Sequence, residues 1–269
     1  MVIIGEKING SIPSMGKAIA ERNEKRIKSM AKKQAAAKAD YIDCCASVNE
    51  NEAETLSWMI DLIQSVTDTP ICVDSPNPQA LLDVLGKCNK PGMINSVSGE
   101  GNKMELIFPV IADTKWKVVA LLCDDSGIPK SAADRIRVLD RIMAEAKKYN
   151  IAQDRIFIDP MVEMLCTAED GINMLLEVIS YIKANYPEAH IICAVSNISF
   201  NLPYRKIINQ AFTVMAMTAG MDAVVVDPLN RDLRGAIYAT DALKGDDYFC
   251  MEYIGAFREG IFGPTEEEK

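Results

Sequence analysis

Histidine is almost missing from this chain of 269 residues, which holds one, His190. A zinc site with several histidines, a Ser-His-Asp triad and a Cys-His dyad all need imidazole as ligand or base, so that inventory works against each of them. His190 lies just before an apolar run and reads as structural. Phosphate cradles are missing too. Gly5 to Ser11 has the G-x-x-x-x-G spacing but carries Ser11 where a P-loop needs lysine, and no G-x-G-x-x-G occurs. No apolar run approaches 18 residues, and Met1-Val2-Ile3-Ile4-Gly5 turns polar too soon for a signal peptide. The eight cysteines are scattered, with Cys44-Cys45 the only close pair and no C-x-x-C. Disulfides are therefore not expected, and a reducing cytoplasm is. A net charge of −9 argues against a nucleic-acid surface. The basic residues from Lys25 to Lys38 recur among alanines at helical spacing, as a solvated helix face does. Any chemistry here must come from carboxylates, amides and a borrowed cofactor.

What the chain does have is a recurring strand ending. Tyr41-Ile42 stops at Asp43, Ile71-Cys72-Val73 at Asp74, and Met93-Ile94 at Asn95. Ile156-Phe157-Ile158 stops at Asp159, Cys193-Ala194-Val195-Ser196 at Asn197, and Val224-Val225-Val226 at Asp227. Short runs rich in apolar, β-branched residues read as parallel strands buried on both faces. Strands are expected near residues 2–5, 40–44, 70–73, 92–95, 117–122, 155–158, 190–195 and 222–226. Helix-period segments follow near 14–39, 52–66, 78 onward, 102–113, 131–149, 168–185, 204–219 and 231–243. Leu56, Met59, Ile60 and Ile63 make one of the apolar stripes. Eight such units in order, with no Pro/Gly/Ser linker, predict a single α/β domain over 1–269, a (β/α)8 TIM barrel.

Right-handed crossovers put every strand C-terminus on one face, so the six side chains should converge on one mouth. Each alone reads more simply as a helix N-cap or turn former, and Asp74-Ser75-Pro76 and Asp227-Pro228 look especially so. Six together are poorly explained that way, and at least three are expected to meet a ligand. A carboxylate accepts two parallel N–H bonds from an amino-pyrimidinone edge, and an asparagine offers one donor and one acceptor. A pterin fits that set. A phosphorylated substrate fits less well, because the loops after the last two strands lack the glycines of a phosphate site.

Several segments resemble the pterin-binding barrels, above all the methyltetrahydrofolate:corrinoid-protein methyltransferases. They are Gly5-Glu6-Lys7-Ile8-Asn9-Gly10, Val73-Asp74-Ser75, Met93-Ile94-Asn95-Ser96, Ile158-Asp159-Pro160, Val195-Ser196-Asn197-Ile198-Ser199 and Asn209-Gln210-Ala211-Phe212. The resemblance implies that Asp74, Asn95 and Asp159 hold the pterin ring and that Asn197 sits beside N5. Asp43, Ser199, Arg205 and Asp227 join them as substrate-binding candidates, with Asn197, Asp159 and Asp74 as the catalytic set. It also implies tetrahydrofolate or 5-methyltetrahydrofolate as substrate, no intrinsic metal, and a homodimer. The corrinoid (cobalamin) would be carried by a separate protein that docks over the mouth, and this chain has no Asp-x-His-x-x-Gly stretch to hold one itself.

Asp43-Cys44-Cys45-Ala46-Ser47 and Asn197-Ile198-Ser199-Phe200 depart from the acetogenic members, which carry Asn and Gln where Cys45 and Phe200 stand. They look more like members paired with glycine betaine or other quaternary-amine demethylation, where the methyl runs from methyl-cobalt to tetrahydrofolate. The reverse direction, toward a corrinoid iron-sulfur protein in acetyl-CoA synthesis, is the alternative. A non-catalytic folate-binding, corrinoid-docking subunit could dispense with Asn197. Dihydropteroate synthase shares the fold, but its S-T-R-P loop and its Ser-x-Lys/Arg pair are missing here.

Overall fold

The computed structural model describes residues 1–46, 51–168 and 170–264. Ser47 and the acidic tail 266–269 lie outside the described residues. The chain runs β1 (Val2–Gly5), α1 (Pro13–Ala20), α2 (Glu24–Ala36), β2 (Tyr41–Cys45), α3 (Glu52–Gln64), β3 (Ile71–Asp74), α4 (Pro78–Leu85) and β4 (Met93–Gly99). It continues through α5 (Lys103–Ile111), β5 (Lys117–Asp124), α6 (Ala132–Lys148), β6 (Ile156–Asp159), α7 (Gly171–Asn185) and β7 (His190–Ala194). It ends with α8 (Arg205–Ala219), β8 (Ala223–Val226), α9 (Arg231–Lys244) and α10 (Met251–Arg258). The strands pair in sequence order, and β8 closes on β1 through Val2–Ala223 to Gly5–Val226. This is the (β/α)8 barrel expected.

Two apolar shells explain why the strands read as continuous runs. One parity, including Ile3, Ile42, Ile71, Val73, Ile94, Val118, Ile156, Ile158, Ile191 and Val224, packs outward against the helices. The other parity, Ile4, Cys72, Met93, Val119, Phe157, Ile192 and Ala223, fills the barrel interior. Side chains alternate with period two, so two residues beyond each interior side chain the next one points inward again. Tyr41 leads to Asp43, Cys72 to Asp74, Met93 to Asn95, and Phe157 to Asp159. The polar ring is the next layer above the apolar one.

None of the six strand-end residues caps a helix. Capping falls to residues further along: Asn77 accepts from Gln79 N at 3.0 Å, Ser131 from Asp134 N at 3.1 Å, and Asn230 from Leu233 N at 3.1 Å. Those hydrogen bonds occupy the first-turn amide donors of α4, α6 and α9. The strand-end residues are thereby left for other work. At the opposite end His190 stacks on Phe157 with ring centroids 4.3 Å apart and contacts Asp222 through Nδ1 at 3.1 Å. It belongs to the barrel floor.

Four expectations need correction. The single helix over 14–39 is two, α1 and α2, because Arg22 takes a left-handed φ of 52° and Asn23 caps a new start through Arg26 N. β2 (Tyr41–Cys45) lies within a residue of its expected span, but β4 runs past Asn95 to Gly99 with register shifts against β5. α10 was not anticipated, although Met251, Ile254 and Phe257 recur at helical spacing. Helix α7 begins at Gly171 rather than 168.

Candidate functional site

A cavity of about 880 Å³ opens at the C-terminal ends of the strands. Asp43, Asp74, Asn95, Asp159 and Asn197 line it together, with Arg205 at the rim. Asp227 and Ser199 do not. Asp227 ties down its own loop through Leu229 N at 3.0 Å and pairs with Lys7 Nζ at 3.2 Å. Ser199 is buried and accepts a hydrogen bond from Arg205 Nε at 2.9 Å, so it positions that guanidinium instead of facing the cavity. Asn197 enters by a different route from the others. It sits in a 3-10 turn, Val195–Ser199, that breaks the strand parity and leaves its amide exposed to the cavity.

The carboxylates are electrostatically uncomfortable. Asp43 is buried within the wall, 2% exposed, and its Oδ2 accepts from Asn9 Nδ2 at 3.1 Å while Oδ1 has no partner. Burial, with the neighbouring Asp74 charge behind it, pushes the Asp43 carboxyl well above the usual carboxylate range. Asp74 is pushed up to about 6, again by burial first, although the Cys45 thiol hydrogen bond pulls the other way. Asp159 also rises to about 6 through burial, partly offset by the Met161 N–H at 2.8 Å and by the nearby Arg135 cation. These cavity carboxyls therefore keep their protons to a higher pH than free carboxylates do. A ligand edge carrying parallel N–H donors would favour the ionised forms.

Sequence reasoning missed the groups that hold this floor in place. Arg135, fully buried on α6, donates to the carbonyls of Pro129 at 3.2 Å and Met161 at 2.7 Å, and also to Pro160 O and Glu163. One guanidinium thus fixes the segment that follows Asp159. An arginine on a helix pattern gives no such signal until the loop folds back over it. Glu6 and Asn9 also line the cavity, within a motif that was quoted without roles for them. Burial raises the Glu6 carboxyl, and Ser196 Oγ lies 3.4 Å from it. Lys103 and Glu100 form a rim ion pair at 2.6 Å. Among the described residues no group of three or more His, Cys, Asp or Glu side chains is placed to hold a metal ion, and no helix is long and apolar enough to cross a membrane.

Carboxylates and amides above the apolar layer of a closed barrel define a site for a flat, hydrogen-bonding heterocycle, and the chain belongs to the pterin binding enzyme family, whose profile matches residues 10–227. A full-length relative sharpens this. The chain is 47% identical over 269 residues to the methylcorrinoid:tetrahydrofolate methyltransferase of Eubacterium limosum, covering 99% of each. It is also 26% identical over 293 residues to the methionine synthase of Mycobacterium tuberculosis, where the whole chain corresponds to 24% of that longer protein. In fold it is similar to dihydropteroate synthase from Xanthomonas albilineans in complex with 7,8-dihydropteroate, with a TM-score of 0.64, 16% identity and 92% and 93% of the two chains covered. The enzyme from Thermus thermophilus is similar with a TM-score of 0.65, 17% identity and 91% and 93% covered. At that identity the likeness to both synthases is one of fold.

Proposed function

We propose that this chain transfers a methyl group from the cobalt of a separate methylated corrinoid protein to N5 of tetrahydrofolate, giving 5-methyltetrahydrofolate. The observation that carries the reading is the convergence of Asp74, Asn95, Asp159 and Asn197 on one cavity in a chain 47% identical, end to end, to a methylcorrinoid:tetrahydrofolate methyltransferase. Asp74 and Asp159 accept the N–H groups of the pterin's amino-pyrimidinone edge, and Asn95 adds a donor and an acceptor. Asn197 faces N5. The N5 lone pair forms the new bond to carbon while the cobalt–carbon bond breaks with both electrons left on cobalt, and N5 releases its proton. The proton leaves N5 through water, while Asp74 and Asp159 hold the ring's N–H edge and fix its orientation. No side-chain nucleophile is needed. Positioning alone contributes up to roughly 7–11 kcal/mol in the best intramolecular analogues.

The methyl source we infer is a quaternary amine of the glycine betaine type, delivered by a corrinoid protein that docks over the mouth in the cytoplasm. Support comes from Cys45 and Phe200, which stand where the acetogenic members carry Asn and Gln. A coupled assay tests both partner and direction. Supplied with tetrahydrofolate and a methylated corrinoid protein, the enzyme forms 5-methyltetrahydrofolate. If only 5-methyltetrahydrofolate with a cob(I) corrinoid iron-sulfur protein supports turnover, the reverse direction is the right one.

We further infer a homodimer. Tyr248 and Phe249 are 79% and 77% exposed just before α10, and Met251, Ile254 and Phe257 continue the apolar face along it. Exposed patches of this kind mark association surfaces. Sedimentation should show a dimer that a Tyr248→Ser/Phe249→Ser double variant converts to monomer. A wild-type monomer at micromolar concentration would remove the assignment.

A further inference from the structure

Phe200 is the unexplained side chain of the mouth. Its ring lines the cavity yet remains 53% exposed, with only the Arg205 guanidinium against one face. Its backbone is fixed from both sides. The Phe200 N–H donates to Asn197 O at 3.2 Å, and its carbonyl accepts from the Cys166 thiol at 3.6 Å. The Arg205 guanidinium carbon lies 5.6 Å from the ring centroid and is itself held by Ser199 Oγ and by Ser196 O at 2.6 Å. Lys7 and Lys103 also line the cavity, but both are paired with carboxylates, Asp227 and Glu100. Arg205 forms no salt bridge with a carboxylate among the described residues, and the Glu6 charge acts on it only through space. An aromatic surface on a fixed backbone therefore stands beside a cation that makes no salt bridge, one turn from Asn197.

Folate chemistry says what belongs there. N5 of the pterin is bonded to C6, and C6 carries the arm that ends in an aminobenzoyl ring and a glutamate. The residue facing N5 therefore lies on the side from which that arm leaves. About 880 Å³ is also near the top of the roughly 300–1,000 Å³ range of small-molecule pockets, leaving room above a bicyclic ring bound at the floor. We propose that Phe200 is the specificity-determining platform of this enzyme, stacking the aminobenzoyl ring of tetrahydrofolate while Arg205 meets the glutamate carboxylate. This rests on the folate reading above. A glutamine at position 200 offers hydrogen bonds to the arm; a phenylalanine offers an aromatic face, so the two choices select for different contacts with the same substrate.

Calorimetric titration with two ligands separates the platform from the pterin clamp. Tetrahydrofolate carries the arm, and 6-methyltetrahydropterin has the same bicycle without it. An offset-stacked ring pair is worth about 0.5–1.5 kcal/mol, or roughly 2- to 12-fold in affinity. Phe200→Ala should weaken tetrahydrofolate by about that factor and leave 6-methyltetrahydropterin unchanged, whereas Phe200→Tyr should keep both affinities. Equal losses for the two ligands, or none for either, overturn the platform while leaving the pterin site standing. A loss confined to the apparent affinity for the corrinoid protein would overturn it as well, by assigning the ring to docking. If the wild-type protein binds neither ligand, the folate reading fails and the platform fails with it. The half-exposed ring adds little to the folded core, and matching thermal melts for Phe200→Ala and Phe200→Tyr check that both variants fold.

Discussion

Asn197→Ala is expected to slow methyl transfer about 10²- to 10³-fold while weakening tetrahydrofolate binding only a few-fold. Removing one preorganised donor or acceptor aimed at charge that develops in the transition state typically costs that much in kcat. A pterin hydrogen-bonded by three other side chains keeps most of its ground-state affinity when the fourth is lost. The asymmetry follows from where Asn197 sits. It is the one polar group of the set carried on a 3-10 turn rather than a strand, exposed to the cavity and close to the open mouth from which a corrinoid would approach. Single-turnover stopped-flow with the methylated corrinoid partner, alongside equilibrium titration of tetrahydrofolate, measures both quantities. Equal losses in rate and affinity would reassign Asn197 to ground-state binding.

Asp159→Asn should do two opposite things. It should cost about 10²-fold or more in folate affinity, because an acceptor-only group facing N–H donors is replaced by an amide that can turn a donor toward them; hydrogen bonds to charged groups are worth roughly 1.5–3 kcal/mol each. It should also stabilise the ligand-free protein at neutral pH. The Asp159 carboxyl stands at about 6 in the fold against an ordinary 3.8, so the folded state binds its proton more tightly than the unfolded chain does. The stability cost is therefore absent below the unfolded value, grows as pH rises through the window between 3.8 and about 6, and is complete above it. At about 1.4 kcal/mol per pKa unit the upper bound is roughly 3 kcal/mol. For a chain of this size that upper bound corresponds to roughly 6–12 °C in Tm, at about 2–4 °C per kcal/mol. Differential scanning calorimetry of wild type and Asp159→Asn at pH 7.5 and pH 4 reads the effect. The gain at pH 7.5 should shrink to a minor fraction at pH 4, near the unfolded value of 3.8; a gain of equal size at both would mean that repacking, not ionisation, produces it. The same substitution thus trades ligand binding for stability, as expected when a site holds charge it cannot neutralise by itself.

Much of this was legible without a structure because the relevant signals are local and periodic. Eight apolar runs separated by helix-period segments dictate a barrel, since parallel strands need crossover helices and both strand faces must be buried. The same period-two rule places Asp43, Asp74, Asn95 and Asp159 in a common layer, which is why those four could be grouped from the sequence. Asn197 was recognised through its motif, but its direction into the cavity depends on a turn that breaks the strand parity. Asp43 shows how far the local signal reaches. Its strand-end position read equally as a turn former or a ligand group, whereas closure of the barrel leaves it 2% exposed within the wall.

By itself, then, the sequence determined the barrel, the polar layer at its C-terminal face and the class of heterocycle such a layer can hold. Only the tertiary structure decided which of those groups share one cavity and what charge they carry there. Asp227 and Ser199 were withdrawn to tie down Lys7 and Arg205, Arg135 was buried to brace the loop after Asp159, and Phe200 was left half-exposed against the Arg205 guanidinium. The division has one physical cause. Strand and helix periods are set by neighbours along the chain, whereas burial, ion pairing and the resulting proton affinities are set by groups that meet only after the sheet has closed.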